Sequence, residues 1–290
     1  MKLTFRIEYR TAWGESIGVM LQGQENSPIM LGTSDGIVWE GSEEMTDAPA
    51  GVPLTYRYGV FLDGQCSRRE SGTMAHIFCP SKKQKSHYIL NDTWKDLPMA
   101  SHLYSAAFSG NYSLENAPKD QCTGQGDIVF RALCPCLHHR KQILGICGRE
   151  EQLGYWNPDR AICMEEIQAN EWIATLPIKD LKFPLEFKFV AINTSTGKVE
   201  EWEMGNNRHL HINDLRKGEI FFTNEMEVQF ASMSRKVAGT AIPVFSLRSE
   251  GSFGVGDFGD LKKLIDWAEK THQQAVQILP INDTTITNTW

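Results

Sequence analysis

Two landmarks in this sequence occur twice, in the same order. A tryptophan in an apolar segment stands at Trp39 and again at Trp172. An aromatic–basic–aromatic triplet stands at Tyr56-Arg57-Tyr58 and again at Phe187-Lys188-Phe189. Each landmark lies in a series of short alternating or apolar segments broken by Gly, Asn, Asp and Pro, the pattern of strands joined by turns. In the first half the segments are 3–9, 16–22, 36–40, 54–62 and 73–78. In the second they are 129–132, 142–147, 171–176, 185–192 and 198–202, with the series ending near residue 226. One such series fills an Ig-like antiparallel β-sandwich of roughly a hundred residues, so the repetition predicts a mainly β chain with two such modules in tandem.

The predicted boundaries are 1–80 for the first module, 81–126 for a connector, 127–226 for the second module and 227–238 for a linker. In the connector no clean period is read, although its apolar residues Trp94, Leu97, Leu103, Tyr104 and Phe108 predict packing on its neighbours. At 239–290 the pattern changes. An apolar run over 240–247 reads as a strand buried on both faces, and the glycine-rich stretch Gly251-Ser-Phe-Gly-Val-Gly256 follows it. Asp257 with Asp260 three residues on reads as a helix start. Phe258, Leu261, Leu264, Ile265 and Ala268 keep helical spacing, and 275–281 reads as a second buried strand. This is a β-α-β unit. A closed (β/α)8 barrel takes about 250 residues, so the unit is expected to be the first piece of an incomplete one.

Bulk properties narrow the partners. The formal net charge of −7 speaks against a nucleic acid, which calls for a basic face. No run reaches the roughly 18 apolar residues of a membrane span. Leu3, Phe5, Ile7 and Tyr9 alternate with polar residues, where an export signal would have an apolar block. The seven cysteines are an odd number, which fits reduced thiols in the cytoplasm and is read as core residues. Cys134-Pro-Cys136 is too tight for a zinc knuckle. Neither a metal nor a cofactor is expected.

A neutral polysaccharide remains compatible with this charge. It presents flat apolar sugar faces ringed by hydroxyls, and binding it takes exposed aromatic rings with a few hydrogen-bonding side chains. Trp156, in the turn sequence Leu153-Gly154-Tyr155-Trp156-Asn157-Pro158, and Trp202, before another turn, are candidates for such rings. Lys188 points from a strand between two aromatics on the opposite face. Trp172, followed by Ile173 and Leu176 within a strand, is assigned to the core, as most tryptophans are. Arg208 is read as structural, and His209 and His211 as surface residues.

The set Leu153-Gly154-Tyr155-Trp156, Trp172, Phe187-Lys188-Phe189 and Trp202 through Asn207-Arg208 resembles the starch-binding modules of carbohydrate-binding module family 20, over residues 127–225. The resemblance implies that Trp156 and Trp202 stack on sugar, that Lys188 and Asn207 bond its hydroxyls, and that Glu203 is a further candidate. The family's second site uses tyrosines, and Arg140 stands at that position here. The first module reverses this. It lacks Leu-Gly-x-Trp and any Trp near 68–70, but Trp13 stands where a second-site aromatic would lie. That module therefore either binds glucan through Trp13 or acts as a spacer.

The stretches 243–247, Gly254-Val-Gly-Asp-Phe-Gly-Asp-Leu261 and Gln277-Ile-Leu-Pro-Ile281 resemble the start of glycoside hydrolase family 77, the 4-α-glucanotransferases. That implies a retaining transfer through a covalent glucosyl-enzyme, using one carboxylate as nucleophile and a second as acid/base. Both are expected beyond residue 290, so no catalytic residue is assigned. The partners implied are starch, glycogen or malto-oligosaccharides. The alternatives are a non-binding β-scaffold, the amino-terminal region of an amylase-type hydrolase, and, weakest, a nucleotide site on Gly254-Val-Gly256-Asp-Phe-Gly259.

Overall fold

The computed structural model describes residues 1–45, 52–71, 75–80, 87–96, 127–135, 137, 140–168, 170–179, 181–212, 215–216, 218–233 and 238–281. Leu97, Leu103, Tyr104, Phe108, Cys122 and Cys136 lie outside these residues, as do 73–74 of the strand expected over 73–78.

The first half forms β1 Lys2–Glu8, β2 Glu15–Leu21, β3 Ile29–Met30, β4 Gly32–Thr33, β5 Val38–Glu44, β6 Leu54–Leu62, β7 Gln65–Arg69, β8 His76–Phe78 and β9 His87–Asp92. The second half forms β10 Asp127–Leu133, β11 Gln142–Gly148, β12 Ile162–Cys163, β13 Glu165–Gln168, β14 Glu171–Pro177, β15 Leu185–Asn193, β16 Val199–Trp202, β17 Arg208–Leu210 and β18 Glu219–Glu227. The two sets correspond strand for strand. In the first, β4-β5-β1-β9 faces β3-β2-β6-β7, with β8 added to β6. In the second, β13-β14-β10-β18 faces β12-β11-β15-β16, with β17 added to β15. Within each sandwich the ladders are antiparallel, except that the last strand lies parallel to the first, β9 on β1 and β18 on β10.

The modules are also joined edge to edge. Strand β9 pairs in parallel with β18, His87–Leu90 against Glu219–Phe222, so four strands from each module make one eight-stranded sheet. This corrects the expectation of a connector from 81 onward, because 87–92 is the closing strand of the first module. Its alternation was hidden because its third inward residue is a carboxylate. Tyr88, Leu90 and Asp92 are all buried.

The core runs through this joint. Leu90, Tyr88 and Phe78 of the first module pack in one cluster with Val129, Ile220 and Phe222 of the second. Phe222 meets Phe78 edge-on at 5.4 Å. Burying each such side chain contributes roughly 1.5–3 kcal/mol.

A charged layer crosses the same joint. The Arg131 guanidinium donates to Asp92 (2.7 Å), to the Asn91 carbonyl (2.8 Å) and to Glu225 (3.2 Å). His76 lies between Glu70 (2.9 Å) and Glu225 (3.0 Å), and the Lys95 ammonium reaches Glu225 at 3.2 Å. Tyr56 and Tyr58 both donate to Asp92 at 2.7 Å. His76, Asp92 and Glu225 are close enough to one another to share a metal ion. Arg131 and Lys95 already supply cations to the two carboxylates, so the donor set suits an ion-pair network rather than a metal.

The thiols divide between interior and surface. Cys79, Cys134 and Cys147 are buried, whereas Cys66 and Cys163 are exposed, which corrects the reading of all cysteines as core residues.

Residues Ser232–Trp290 form a separate compact unit. Here β19 Gly239–Ile242 pairs in parallel with β20 Ala275–Ile278, connected through the helix α1, Phe258–Lys270. The helix starts at the expected capping box of Asp257 and Asp260. Strand β19 is shorter than expected because Pro243 has no N–H to continue a ladder, and 244–246 turns as a 3-10 helix. The two strands are not buried on both faces. Most of their residues are open to solvent, as are Phe245, Phe253, Phe258 and Ile265. Burial of a parallel strand needs neighbours on both edges and layers on both faces, which two strands and one helix cannot supply. Gly256 packs so tightly that a Cβ there would lie 2.2 Å from the Val244 carbonyl oxygen. Ser249 and Ser252 both donate to the Asp260 carboxylate. With Asp257 beside it, the helix N-terminus that a nucleotide phosphate would need is filled by carboxylates.

Candidate functional site

Strand β11 ends at Gly148, and the chain then folds through a 3-10 turn, Glu151–Leu153. Three successive residues follow in the left-handed region, Gly154 at φ 83°, Tyr155 at 52° and Trp156 at 59°. Left-handed backbone in bulky residues costs on the order of 1–3 kcal/mol each and clusters at binding sites. Here it is held by Trp156 N–H donating to the Gly148 carbonyl (2.7 Å) and Asn157 N–H donating to that of Gly154 (2.9 Å). Only glycine fits at 154, because a Cβ would lie 2.7 Å from the Arg160 carbonyl oxygen.

The turn brings Trp156 against Trp202, the last residue of β16. The ring centroids are 6.2 Å apart and the planes are inclined at 42°. Trp202 is 37% exposed and Trp156 is half-buried. The two rings thus form an angled surface rather than a coplanar one. Trp172 is buried, and its indole N–H donates to the Cys134 carbonyl at 3.2 Å.

The polar candidates surround Trp202 in different roles. The Lys188 ammonium donates to the carbonyls of Glu203 (2.9 Å) and Gly205 (2.6 Å), pinning the loop behind Trp202. The Asn207 amide donates to Glu186 at 2.7 Å. Glu203 is only 5% exposed. It accepts from the Phe189 N–H at 3.2 Å and is ion-paired with Arg208, whose guanidinium also donates to the Glu227 carbonyl. A carboxylate enclosed in this way cannot reach a sugar, so Glu203 is corrected from a ligand to a support of the loop. Arg208 is structural, as read, and His209 and His211 are exposed. Arg140 is half-buried and pairs with Glu201 at 3.3 Å.

In the first module Trp13 projects fully into solvent. It lines a cleft of about 710 Å3 together with Arg10, Thr33, Asp35 and Trp39. Trp39 is 5% exposed, and its buried indole N–H has no hydrogen-bond partner among the described residues. In the sequence Trp39 is only a framework landmark. An indole without an acceptor among the described residues is a tertiary fact that no motif announces.

Residues 127–221 match the family described as starch binding domain, and residues 242–289 match the family described as 4-alpha-glucanotransferase. The 4-alpha-glucanotransferase DPE2 of Oryza sativa subsp. japonica is 28% identical over 311 residues, which cover 99% of this chain and 32% of the relative. A 4-alpha-glucanotransferase of Chlamydia trachomatis serovar D is 50% identical over 46 residues, 16% of this chain and 9% of the relative. The chain thus spans about a third of the rice relative and less than a tenth of the chlamydial one. A solved family 20 module from the maltotetraose-forming amylase of Pseudomonas saccharophila is 18% identical and covers 33% of this chain and 99% of its own, at a TM-score of 0.25. No helix among the described residues is long and apolar enough to cross a membrane.

Proposed function

We propose that the chain is the glucan-binding amino-terminal region of a 4-α-glucanotransferase, and that it holds starch, glycogen or malto-oligosaccharide on the Trp156–Trp202 surface. The observation that carries this reading is the ring pair itself. Two indoles at 6.2 Å are held partly open to solvent by a strained turn on one side and a pinned loop on the other. Rings inclined at 42° suit a chain whose successive sugars turn relative to one another, as α-1,4-linked glucose does. An ammonium has three donors, and Lys188 spends two on carbonyls, so the third can serve a sugar hydroxyl. The Asn207 amide, bonded once to Glu186, has further capacity of the same kind.

Trp13 is the proposed second contact. The match of 242–289 to the 4-alpha-glucanotransferase family favours transfer of α-1,4-glucan segments to a sugar acceptor over hydrolysis by an amylase. No catalytic residue is assigned within residues 1–290. A reducing, cytoplasmic setting fits the free thiols of Cys66, Cys79, Cys134, Cys147 and Cys163.

Isothermal titration with maltoheptaose and β-cyclodextrin, on the wild type and on Trp156→Ala/Trp202→Ala, tests the reading. Binding lost in the double variant is expected. Binding that survives there and disappears in Trp13→Ala would move the main site to the first module. A folded wild type that binds neither glucan would overturn the proposal in favour of a non-binding scaffold.

A further inference from the structure

The ladders align the two modules residue by residue, and one pair of matched positions differs in charge. Tyr58 N–H donates to Glu70 at 2.7 Å, as Phe189 N–H does to Glu203. Arg69 lies opposite Gly59, the residue after Tyr58, as Trp202 lies opposite Val190, the residue after Phe189. Arg57 precedes Tyr58 as Lys188 precedes Phe189. Where the second module places Trp202 and Lys188, the first therefore places Arg69 and Arg57. The long turn that carries Trp156 is matched by a short one, closed by Gln24 N–H on the Leu21 carbonyl at 2.9 Å.

These substitutions change a stacking surface into a slot. It has a volume of about 220 Å3 and is lined by Gln22, Glu25, Thr55, Arg57, Arg69 and Glu70. Glu70 is not an available anion there, since it is buried and accepts from Tyr58 N–H, Lys95 N–H (2.7 Å) and His76 (2.9 Å). Arg57 and Arg69 thus line the slot together with one exposed carboxylate, Glu25. The Gly23 N–H, foremost, and the nearby Arg57 charge hold that carboxylate below its usual range.

We propose that this slot binds a phosphate monoester carried on a sugar. Arg69 and Arg57 donate to the phosphate oxygens, and Gln22 and Thr55 lie within the slot to meet the sugar hydroxyls. A guanidinium fork matches two phosphate oxygens at once. Loss of the stacking ring removes affinity for a neutral sugar face, so the exchange turns a neutral-glucan position into a charge-selective one. The slot is smaller than an ordinary ligand pocket, with room for one phosphorylated hexose rather than a chain segment. Glu25 is the competing anion that the ligand would displace. The comparison rests on the second-module glucan reading, but phosphate binding is measured independently of it.

The test is titration of the full chain with glucose 6-phosphate, inorganic phosphate and a phosphorylated maltodextrin, with glucose as the neutral control. Saturable binding of glucose 6-phosphate but not glucose is expected, weakening as salt is raised. Arg69→Ala, at an exposed position, should weaken it by roughly tenfold or more, and Glu25→Gln should strengthen it. Trp156→Ala/Trp202→Ala should leave it unchanged, so failure of the neutral-glucan reading and failure of this one are distinguishable. In Trp13→Ala/Trp156→Ala/Trp202→Ala, where the neutral-glucan contacts are removed, tighter binding of the maltodextrin than of glucose 6-phosphate would place the ester on a polymer, and equal binding would place it on the free sugar; both support the site. Inorganic phosphate binding as tightly as the sugar phosphate would overturn the sugar assignment. No saturable binding by the folded wild type, or binding indifferent to Arg69→Ala, would overturn the site altogether.

Discussion

His76 of the first module and Glu225 of the second share a hydrogen bond of 3.0 Å, with both side chains less than a tenth exposed. Around them stand Glu70 beyond β7, Asp92 on β9, Arg131 on β10, Lys95 after β9, and the hydroxyls of Tyr56 and Tyr58 on β6. Burial works to lower the His76 pKa. The carboxylates of Glu225 and Asp92, with the bonds to Glu225 and Glu70, outweigh burial and raise it from 6.5 to about 9. A raised folded-state pKa stabilises the fold fully below the unfolded value and loses that effect as pH passes the folded one. Stability to urea should therefore fall between pH 6.5 and about 9. In His76→Gln the slope in that window should flatten, and an unchanged slope would show that another group titrates.

Glu225 behaves in the opposite sense. Burial alone would raise its pKa, but Arg131, Lys95 and His76 together hold it well below the ordinary carboxylate value. Its contribution is present above about pH 4.5 and disappears as pH falls through the depressed value. Arg131→Ala would leave Asp92 and Glu225 buried without their main counter-charge, at a cost of roughly 3–5 kcal/mol. Because those carboxylates lie on β9 and β18, the damage falls on the joint. The variant should unfold in calorimetry with two transitions where residues 1–231 of the wild type, one compact unit, should show one.

Gly154→Ala places a Cβ 2.7 Å from the Arg160 carbonyl oxygen and puts a side chain on a φ of 83°. The turn that presents Trp156 should shift, weakening maltoheptaose binding by roughly tenfold while circular dichroism stays native, since the strands are untouched. Binding equal to wild type would mean that Trp156 does not depend on this turn.

Arg208→Ala separates support from contact. Glu203 would lose its ion pair and remain buried, so the loop behind Trp202 loosens. The expected loss is about 1–3 kcal/mol of stability, together with weaker glucan binding. Glu203→Gln, which can still accept from Phe189 N–H, should recover most of the binding if Glu203 acts only by holding the loop. A direct sugar contact through the carboxylate would instead abolish binding in Glu203→Gln.

Trp39→Phe removes a buried donor that has no acceptor among the described residues. Stability should be unchanged or slightly higher, because an unsatisfied buried N–H is itself destabilising. A marked loss of stability would show that the indole is bonded in solution.

Much of this protein was legible in its residues because the signals are local. Alternation placed β1, β2, β6, β11, β14 and β15 close to their observed bounds. The paired acids at 257 and 260 set the helix start, and the repeated Trp and aromatic–basic–aromatic landmarks gave two copies of one sandwich. The turn chemistry of Leu153-Gly154-Tyr155-Trp156 is enough to mark Trp156 as a ring that is not fully buried. What only the tertiary structure decided depends on partners far apart in sequence. The edge pairing of β9 with β18 cannot be read from either strand, because a parallel ladder leaves no periodic mark on its partner's sequence. Glu203 looks in sequence like a polar side chain next to a candidate binding tryptophan, and only the approach of Arg208 and the Phe189 N–H turns it inward. The charged residues Asp92, Arg131 and Glu225 look like surface positions one at a time. They are buried because each brings the counter-charge the others need, a condition that exists only once both sandwiches have folded and met.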